Sequence, residues 1–403
     1  MTPRLDFTGQ DYLRNPSAGI AKLRDAGPVV QVRFPIIGQV WVTTTEDAAN
    51  RMLKASQSFT LRRNGKTAGM QWWMPRSFRT LANNMLTTDE PDHTRLRSIV
   101  DEAFRRRAVL DMEPRIVAMA EELAGDLFRE GTPADLVARY ARKLPLAVIC
   151  ELLGLPAGER PMFTRWAEGM TASRSTVGFL FRMMRGIGAI KRYLEAHIET
   201  VRREGGSGLI AELVRVEKEG QRLSRDEMIA TVFLLLFAGH ETTTHLISGS
   251  VFELLKQPDL RDWLEEDWSR ADLAVEEFLR FISPVQFSKP RFVRNDMELC
   301  GVPLKHGERI MAMLVAANLD PAANEHPEQL DLGRRPNRHI AFGTGIHFCL
   351  GHQLARIEGR CALEALFKRW PKLTLAVPPE QIRWRPQPGI RAIARLPVVA
   401  YPP

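Results

Sequence analysis

Three glycines and one cysteine crowd into the run Phe342-Gly-Thr-Gly-Ile-His-Phe-Cys349-Leu-Gly351, and no other stretch restricts the fold as strongly. Glycine lets a main chain turn sharply and approach a flat ligand closely. Leu350, Leu354, Ala355, Ile357, Glu358 and Cys361 then follow helical spacing, which predicts a helix starting directly after the run. Cys349 is thereby expected just before or at a helix N-terminus, where amide dipoles favour a thiolate. A thiolate so placed can ligate a metal. The ordinary alternative is a buried structural cysteine, but it leaves the glycine spacing and His347 unexplained. A zinc site built from His347, Cys349 and His352 has no fourth ligand at a usual spacing.

The remainder of the chain is that of an ordinary globular protein. Of its 403 residues 44% are hydrophobic and 26% charged, which excludes disorder and collagen-like structure as the main state. Lys and Arg number 56 against 48 Asp and Glu, a diffuse net charge of +8. Nucleic-acid binding needs a concentrated basic patch, so no nucleic-acid partner is expected; the excess suits a docking face for an acidic partner equally well. The four cysteines, Cys150, Cys300, Cys349 and Cys361, form no CxxC pair and no disulfide framework, as in a reducing compartment. No secretory signal opens the sequence, and its longest mostly apolar run, 229–239, falls short of the roughly 20 residues needed to cross a bilayer. A cytoplasmic protein without a membrane partner is the expectation.

Strand patterns at 29–34 and 40–44 flank Pro35-Ile-Ile-Gly38 and read as a hairpin. Helical periodicity occupies 93–107, 114–130, 176–204, 225–256 and 271–282. Strand patterns return at 297–304 and 309–314, and a last hairpin is expected over 382–398. The irregular stretch 319–347 is long enough to suggest function. Without repeats or linkers, the expectation is one domain over 1–403, mainly α with a small β part.

The apolar run from Ile229 leads into Ala238-Gly239-His240-Glu241-Thr242-Thr243-Thr244. Glycine and back-bonding threonines predict a local opening of this helix. A helix passing from core to surface, with Glu241 solvated, is the plainer reading, since a buried unpaired carboxylate is costly. Leu234, Ala238 and Thr242 share one face. Glu277-Phe-Leu-Arg280 pairs opposite charges on one helix, worth only about 0.2–0.5 kcal/mol in isolation. His93 and Arg97 share a face at the start of another.

Together these stretches resemble the cytochrome P-450 family, soluble bacterial type, over about 89–396. The resemblance implies a single-domain fold with haem b buried between a long distal helix and a proximal Cys-loop helix. It implies Cys349 as the haem-iron ligand, in a loop shaped by Phe342, Gly343 and Gly351, with no role for the other cysteines. A thiolate ligand pushes electron density toward the iron and favours O–O cleavage. Glu241 and Thr242 resemble the family's catalytic proton-delivery pair. Glu277 and Arg280 resemble its structural Glu-x-x-Arg pair, whose third partner is expected at Arg334, with Arg335 and Arg338 as alternatives. His93, Arg97, Arg291 and His347 match contacts to the haem propionates; His339 reads as a structural histidine.

The family's substrate-contacting segments fall on Trp72, Trp73, Phe179, Phe181, Met183, Met184, Leu234, Phe237, Ala238, Val285 and Phe287, although aromatic and Met stripes are more often core. Together they suggest a sizeable apolar pocket. Arg62, Arg63, Lys66, Arg76 and Arg79 raise the expectation of an anionic group on the substrate. The segment after Cys349 is too short for a reductase, and Glu204-Gly-Gly-Ser-Gly208 is no dinucleotide fingerprint. An external ferredoxin or flavodoxin with its reductase is therefore expected, docking through residues among Arg97, Arg105, Arg106, Arg107 and Arg356. The expected function is a monomeric haem-thiolate monooxygenase. It inserts one atom of dioxygen into a small apolar substrate, with electrons from NAD(P)H. The alternatives are a peroxide-driven haem-thiolate enzyme and a non-enzymatic haem-binding sensor.

Overall fold

The computed structural model describes residues 5–400, apart from 36, 64–65, 68–80, 82, 108, 160, 164, 167–175 and 219–222; at 63, 66–67, 105–107, 109–110, 176–185 and 218 it describes the backbone only. The chain is mainly helical with small sheets, as the periodicity predicts, and it groups into two units. One comprises Met1–Gly69, Val117–Arg142 and Thr242–Pro403; the other comprises Met70–Ile116 and Lys143–Glu241.

The first unit is organised by a five-stranded sheet in the order Val29–Phe34, Gly38–Thr43, Arg309–Ala312, Arg291–Val293, Phe59–Thr60. All pairings are antiparallel except that of Gly38–Thr43 with Arg309–Ala312. The apolar face of the sheet meets helix Glu46–Lys54, and Val29, Met52, Leu53, Phe59, Ile310 and Leu314 form the shared core. Thr45 starts that helix by accepting a bond from the Ala48 amide at 3.3 Å, satisfying one donor that the first turn leaves open. Helix Ala271–Ile282 buries Ala274, Val275, Phe278, Leu279 and Ile282. Helix His352–Arg369 lies along it, tied by Arg360 to Asp272 at 3.0 Å.

Three expected elements differ. The 297–304 pattern is two strands, Met297–Leu299 and Val302–Leu304, because Cys300 and Gly301 reverse the chain with φ of +51° and +82°. The 114–130 helix ends at Asp126, and 127–131 unwinds into successive turns. The final hairpin contracts to one bridge, Trp384 with Ile393, because Pro386 and Pro388 have no amides to donate. Beyond it Pro397–Ala400 pairs with Leu373–Leu375 and Ala134–Asp135 instead.

The second unit is built from helices Asp92–Arg107, Lys143–Leu153, Thr176–Glu204, Gly208–Lys218 and the first half of Arg225–Lys256. Arg95 pairs with Glu227, fastening the first of these to the start of the last, and Arg115 meets Glu151 at 3.0 Å. Among the described residues no helix is long and apolar enough to cross a membrane.

Candidate active site

The cysteine loop is closed by its own backbone. The Cys349 amide donates to the Phe342 carbonyl at 3.0 Å, the Gly343 amide to Ile340 at 2.8 Å and the Phe348 amide to Gly345 at 3.0 Å. Gly343 and Gly345 supply φ of +68° and +73°, which side-chain-bearing residues rarely adopt. Gly345 is further restricted by space: a Cβ there would stand 2.6 Å from the Leu53 carbonyl oxygen. A single 3-10 turn, Gly345–His347, leads to Cys349, and helix His352–Arg369 begins three residues later with Gly351 as its N-cap. Cys349 and His347 are both half-buried. The cysteine therefore stands at the positive end of an 18-residue helix.

The Leu53 carbonyl also accepts from the buried Arg291 guanidinium at 3.2 Å. One oxygen at the end of helix Glu46–Lys54 thus brings Arg291 and the Gly345 turn together.

Beneath the loop, Glu277 and Arg280 form a two-bonded pair with both contacts at 2.7 Å, and neither side chain is exposed. Arg334 is the third cation, at 3.2 Å from Glu277, and it is buried, whereas Arg335 and Arg338 are exposed. Arg280 also donates to the carbonyls of Asn318, Pro327 and Gln329, and Arg334 to those of Glu325, His326 and Gln329. Glu277 also accepts from the Asn337 side chain at 3.1 Å and from the Asp331 amide at 3.0 Å. The irregular stretch before the cysteine is thus held through its carbonyls by two arginines on one carboxylate.

Sequence reasoning missed a second network, one residue away. Glu276 accepts from both arms of Arg356 and from His339 at 2.9 Å, and the Arg356 guanidinium lies 4.6 Å from the Phe342 ring centroid. Burial alone would raise the Glu276 carboxyl; the hydrogen bonds and charges of Arg356 and His339 outweigh it and bring it down to about 2. Arg356, expected on a docking face, is therefore committed to Glu276. The only sequence signal was the pair of adjacent glutamates.

In the second unit His93 is buried, and burial pulls its pKa below the ordinary histidine value despite Glu90 at 3.8 Å. Arg97 contacts both carboxylate oxygens of Asp101 at 3.1 Å. Helix Arg225–Lys256 is continuous in its assignment through Gly239. The glycine serves close packing, since a Cβ there would meet Ile149 Cδ1 at 3.0 Å. Leu234, Phe237, Glu241 and Thr242 are half-buried and Ala238 exposed, on a helix whose Val232, Leu235 and Leu236 are buried. Phe237 stacks on Phe233 with centroids 5.2 Å apart.

Phe287, expected in the substrate pocket, is core: its ring packs on Phe7 and Phe34 with centroids 5.2 and 5.1 Å apart. Val285 is half-buried and bridges Ile390. Trp72, Trp73, Arg76 and Arg79 lie outside the described residues, as do the side chains of Phe179, Phe181, Met183, Met184, Arg63, Lys66, Arg105, Arg106 and Arg107.

Among the described residues no three His, Cys, Asp or Glu side chains gather as a metal site, so His347, Cys349 and His352 do not form the alternative zinc centre. An iron at Cys349 must bring most of its donors with it, as a porphyrin does. Buried Arg291 and half-buried His347 suit the carboxylates of such a ring.

The sequence profile described as Cytochrome P450 matches residues 178–389. The vitamin D(3) 25-hydroxylase of Pseudonocardia autotrophica is 38% identical over 100% of this chain and 98% of its own length. The cytochrome P450 monooxygenase PikC of Streptomyces venezuelae is 34% identical over 98% of this chain and 94% of its own. Among solved structures, the myxobacterial cytochrome P450 CYP267B1 in complex with myristic acid superposes with a TM-score of 0.90 at 37% identity, covering 98% of this chain and 99% of that one.

Proposed function

The chain belongs to the cytochrome P450 family, and on that premise we propose that it delivers one oxygen atom of dioxygen to a small, largely apolar organic substrate, using electrons from NAD(P)H brought by an external ferredoxin or flavodoxin. Membership makes it a monooxygenase with haem as its cofactor. The observation that carries the reading is Cys349, held in a self-closed glycine loop at the head of helix His352–Arg369.

When bound, haem supplies the iron at which dioxygen is reduced. Cys349 would provide the thiolate donor to that iron, a ligand type that favours O–O cleavage. Arg291 and His347 would hold the propionates by charge and hydrogen bonds, and the resemblance assigns the same role to His93 and Arg97. The Glu241 carboxyl holds a proton and the adjacent Thr242 hydroxyl passes it on. The face that carries half-buried Leu234 and Phe237 and the exposed Ala238 excludes water and orients an apolar substrate. The vitamin D(3) hydroxylase and the myristic acid complex support that substrate class. Four of the five arginines and lysines suggested for an anionic substrate group have no described side chain, leaving Arg62 as its remaining support. A monomer working in the cytoplasm completes the reading.

Turnover with a surrogate ferredoxin, its reductase and isotopically heavy dioxygen tests it. The product is expected to gain one heavy oxygen atom, and Thr242→Ala to divert electrons into peroxide while haem stays bound. Equal product from hydrogen peroxide without a reductase overturns the electron route.

A further inference from the structure

The Asn318 side chain joins the end of one helix to the chain that enters the cysteine loop. It is fully buried at the last position of helix Leu314–Asn318. Its Oδ1 accepts from the Ile340 amide at 2.7 Å, and its Nδ2 donates to the Ser283 hydroxyl at 2.9 Å. A backbone N–H can bond only the oxygen of a side-chain amide, so the Ile340 contact fixes which way Asn318 faces. The Ser283 hydroxyl in turn donates to the Arg280 carbonyl at 2.8 Å. Donation runs one way, from Asn318 through Ser283 to Arg280, an arrangement in which each bond strengthens the next. Ser283 closes helix Ala271–Ile282 at φ +45°, a conformation that usually falls to glycine at a helix end. Such a residue persists where its surroundings over-determine it, as a hydroxyl bonded on both sides does here.

The same stretch shows what the charged network leaves undone. Arg280 and Arg334 hold carbonyls at 318 and between 325 and 329, and their hydrogen bonds stop there. Residues 338–340 belong to none of the described strands. Two asparagines take the place of a neighbouring strand. Asn324, also buried, bonds both backbone groups of Arg338, at 2.8 and 3.0 Å, and Asn318 bonds the Ile340 amide two residues on. The Ile340 carbonyl accepts from Gly343, so this residue is fixed through its amide by Asn318 and through its carbonyl by the first turn of the cysteine loop.

We propose that Asn318 is a positioning residue for the cysteine ligand: by bonding Ile340 and Ser283 at once, it fixes the backbone on which the Gly343 turn closes, and so where the Cys349 sulfur stands. The proposal rests on the haem-thiolate reading above and adds a neutral hydrogen-bonded link to a loop otherwise braced by charge.

The test compares haem-loaded wild type, Asn318→Ala, Asn318→Asp, Ser283→Ala and Leu373→Ala. Leu373 is buried on strand Leu373–Leu375, and truncating it leaves a cavity without removing any of these bonds. Each protein is reduced under carbon monoxide at a denaturant concentration that gives all of them equal global stability. The passage from the long-wavelength thiolate band to the shorter-wavelength band of haem without its thiolate is then timed. Asn318→Ala is expected to lose the thiolate band about tenfold faster than Leu373→Ala, because the buried Ile340 amide is left without its acceptor. Ser283→Ala is expected to lose it several-fold faster than Leu373→Ala. Asn318→Asp keeps an oxygen for Ile340 and is expected to be slower than Asn318→Ala. Asn318→Ala keeping pace with Leu373→Ala, or Asn318→Asp as fast as Asn318→Ala, overturns the proposal. If Asn318→Ala does not fold, Ser283→Ala against Leu373→Ala decides by the same criterion. A wild type without the thiolate band removes the haem reading itself, whereas a wild type with it and variants level with Leu373→Ala removes only the role of Asn318.

Discussion

Glu276 and Glu277 are neighbours on helix Ala271–Ile282, and each heads a three-membered charge network beside the cysteine loop. They differ in depth. In the Glu277 network the side chains of Glu277, Arg280 and Arg334 are 0%, 0% and 8% exposed. In the Glu276 network those of Glu276, Arg356 and His339 are 29%, 31% and 7% exposed. A fully buried carboxylate must neutralise its cations, because removing one partner strands a charge where water cannot compensate. A half-exposed one shares that task with solvent. The first network is therefore obligatory for the loop, and the second fine-tunes it by gripping Phe342 through Arg356.

Glu277→Gln gives the largest expected effect. It leaves Arg280 and Arg334 buried without a counter-charge, and chemical denaturation is expected to show a loss of about 3–5 kcal/mol, together with poor haem loading. Arg334→Lys comes next, at about 2 kcal/mol, because an ammonium cannot bond Glu277 and three carbonyls at once. A loss below that of Glu276→Gln contradicts the ranking by depth.

Glu276→Gln is expected to cost about 1 kcal/mol at neutral pH, after discounting for the solvent that reaches the pair. The Glu276 carboxyl titrates at about 2 in the folded protein against 4.5 as its ordinary value. Its stabilisation is therefore complete above about pH 4.5 and fades as pH falls toward 2. Stability measured over that window should fall less steeply in Glu276→Gln than in wild type; parallel slopes show that Glu276 is not held by Arg356 and His339. Arg338→Ala, exposed beside the buried Arg334, is expected to stay within about 0.5 kcal/mol of wild type.

What could be read in advance follows the same division between local and distant. Helices 93–107, 176–204, 225–256 and 271–282 were legible because their periodicity lies within one segment, and the cysteine loop because its glycines and cysteine are contiguous. Pairings that cross the chain were not. Pro397–Ala400 finds its partners at Leu373–Leu375 and Ala134–Asp135, and no local pattern distinguishes it from the arm of a hairpin. Arg356 meets Glu276 across 80 residues, and an i, i+4 reading of a helix surface cannot anticipate that. Gly239 reads as a helix breaker by propensity but serves packing against Ile149, which only tertiary contact reveals. Phe287 looks like pocket by proximity to Glu277 and is core by contact with Phe7 and Phe34.

The most direct measurement is the absorbance of the purified, dithionite-reduced protein under carbon monoxide, with and without Cys349→Ala. The expected result is the long-wavelength Soret band of thiolate-ligated haem in wild type and its loss in the variant. A wild type without that band, or a variant that retains it, contradicts Cys349 as the ligand.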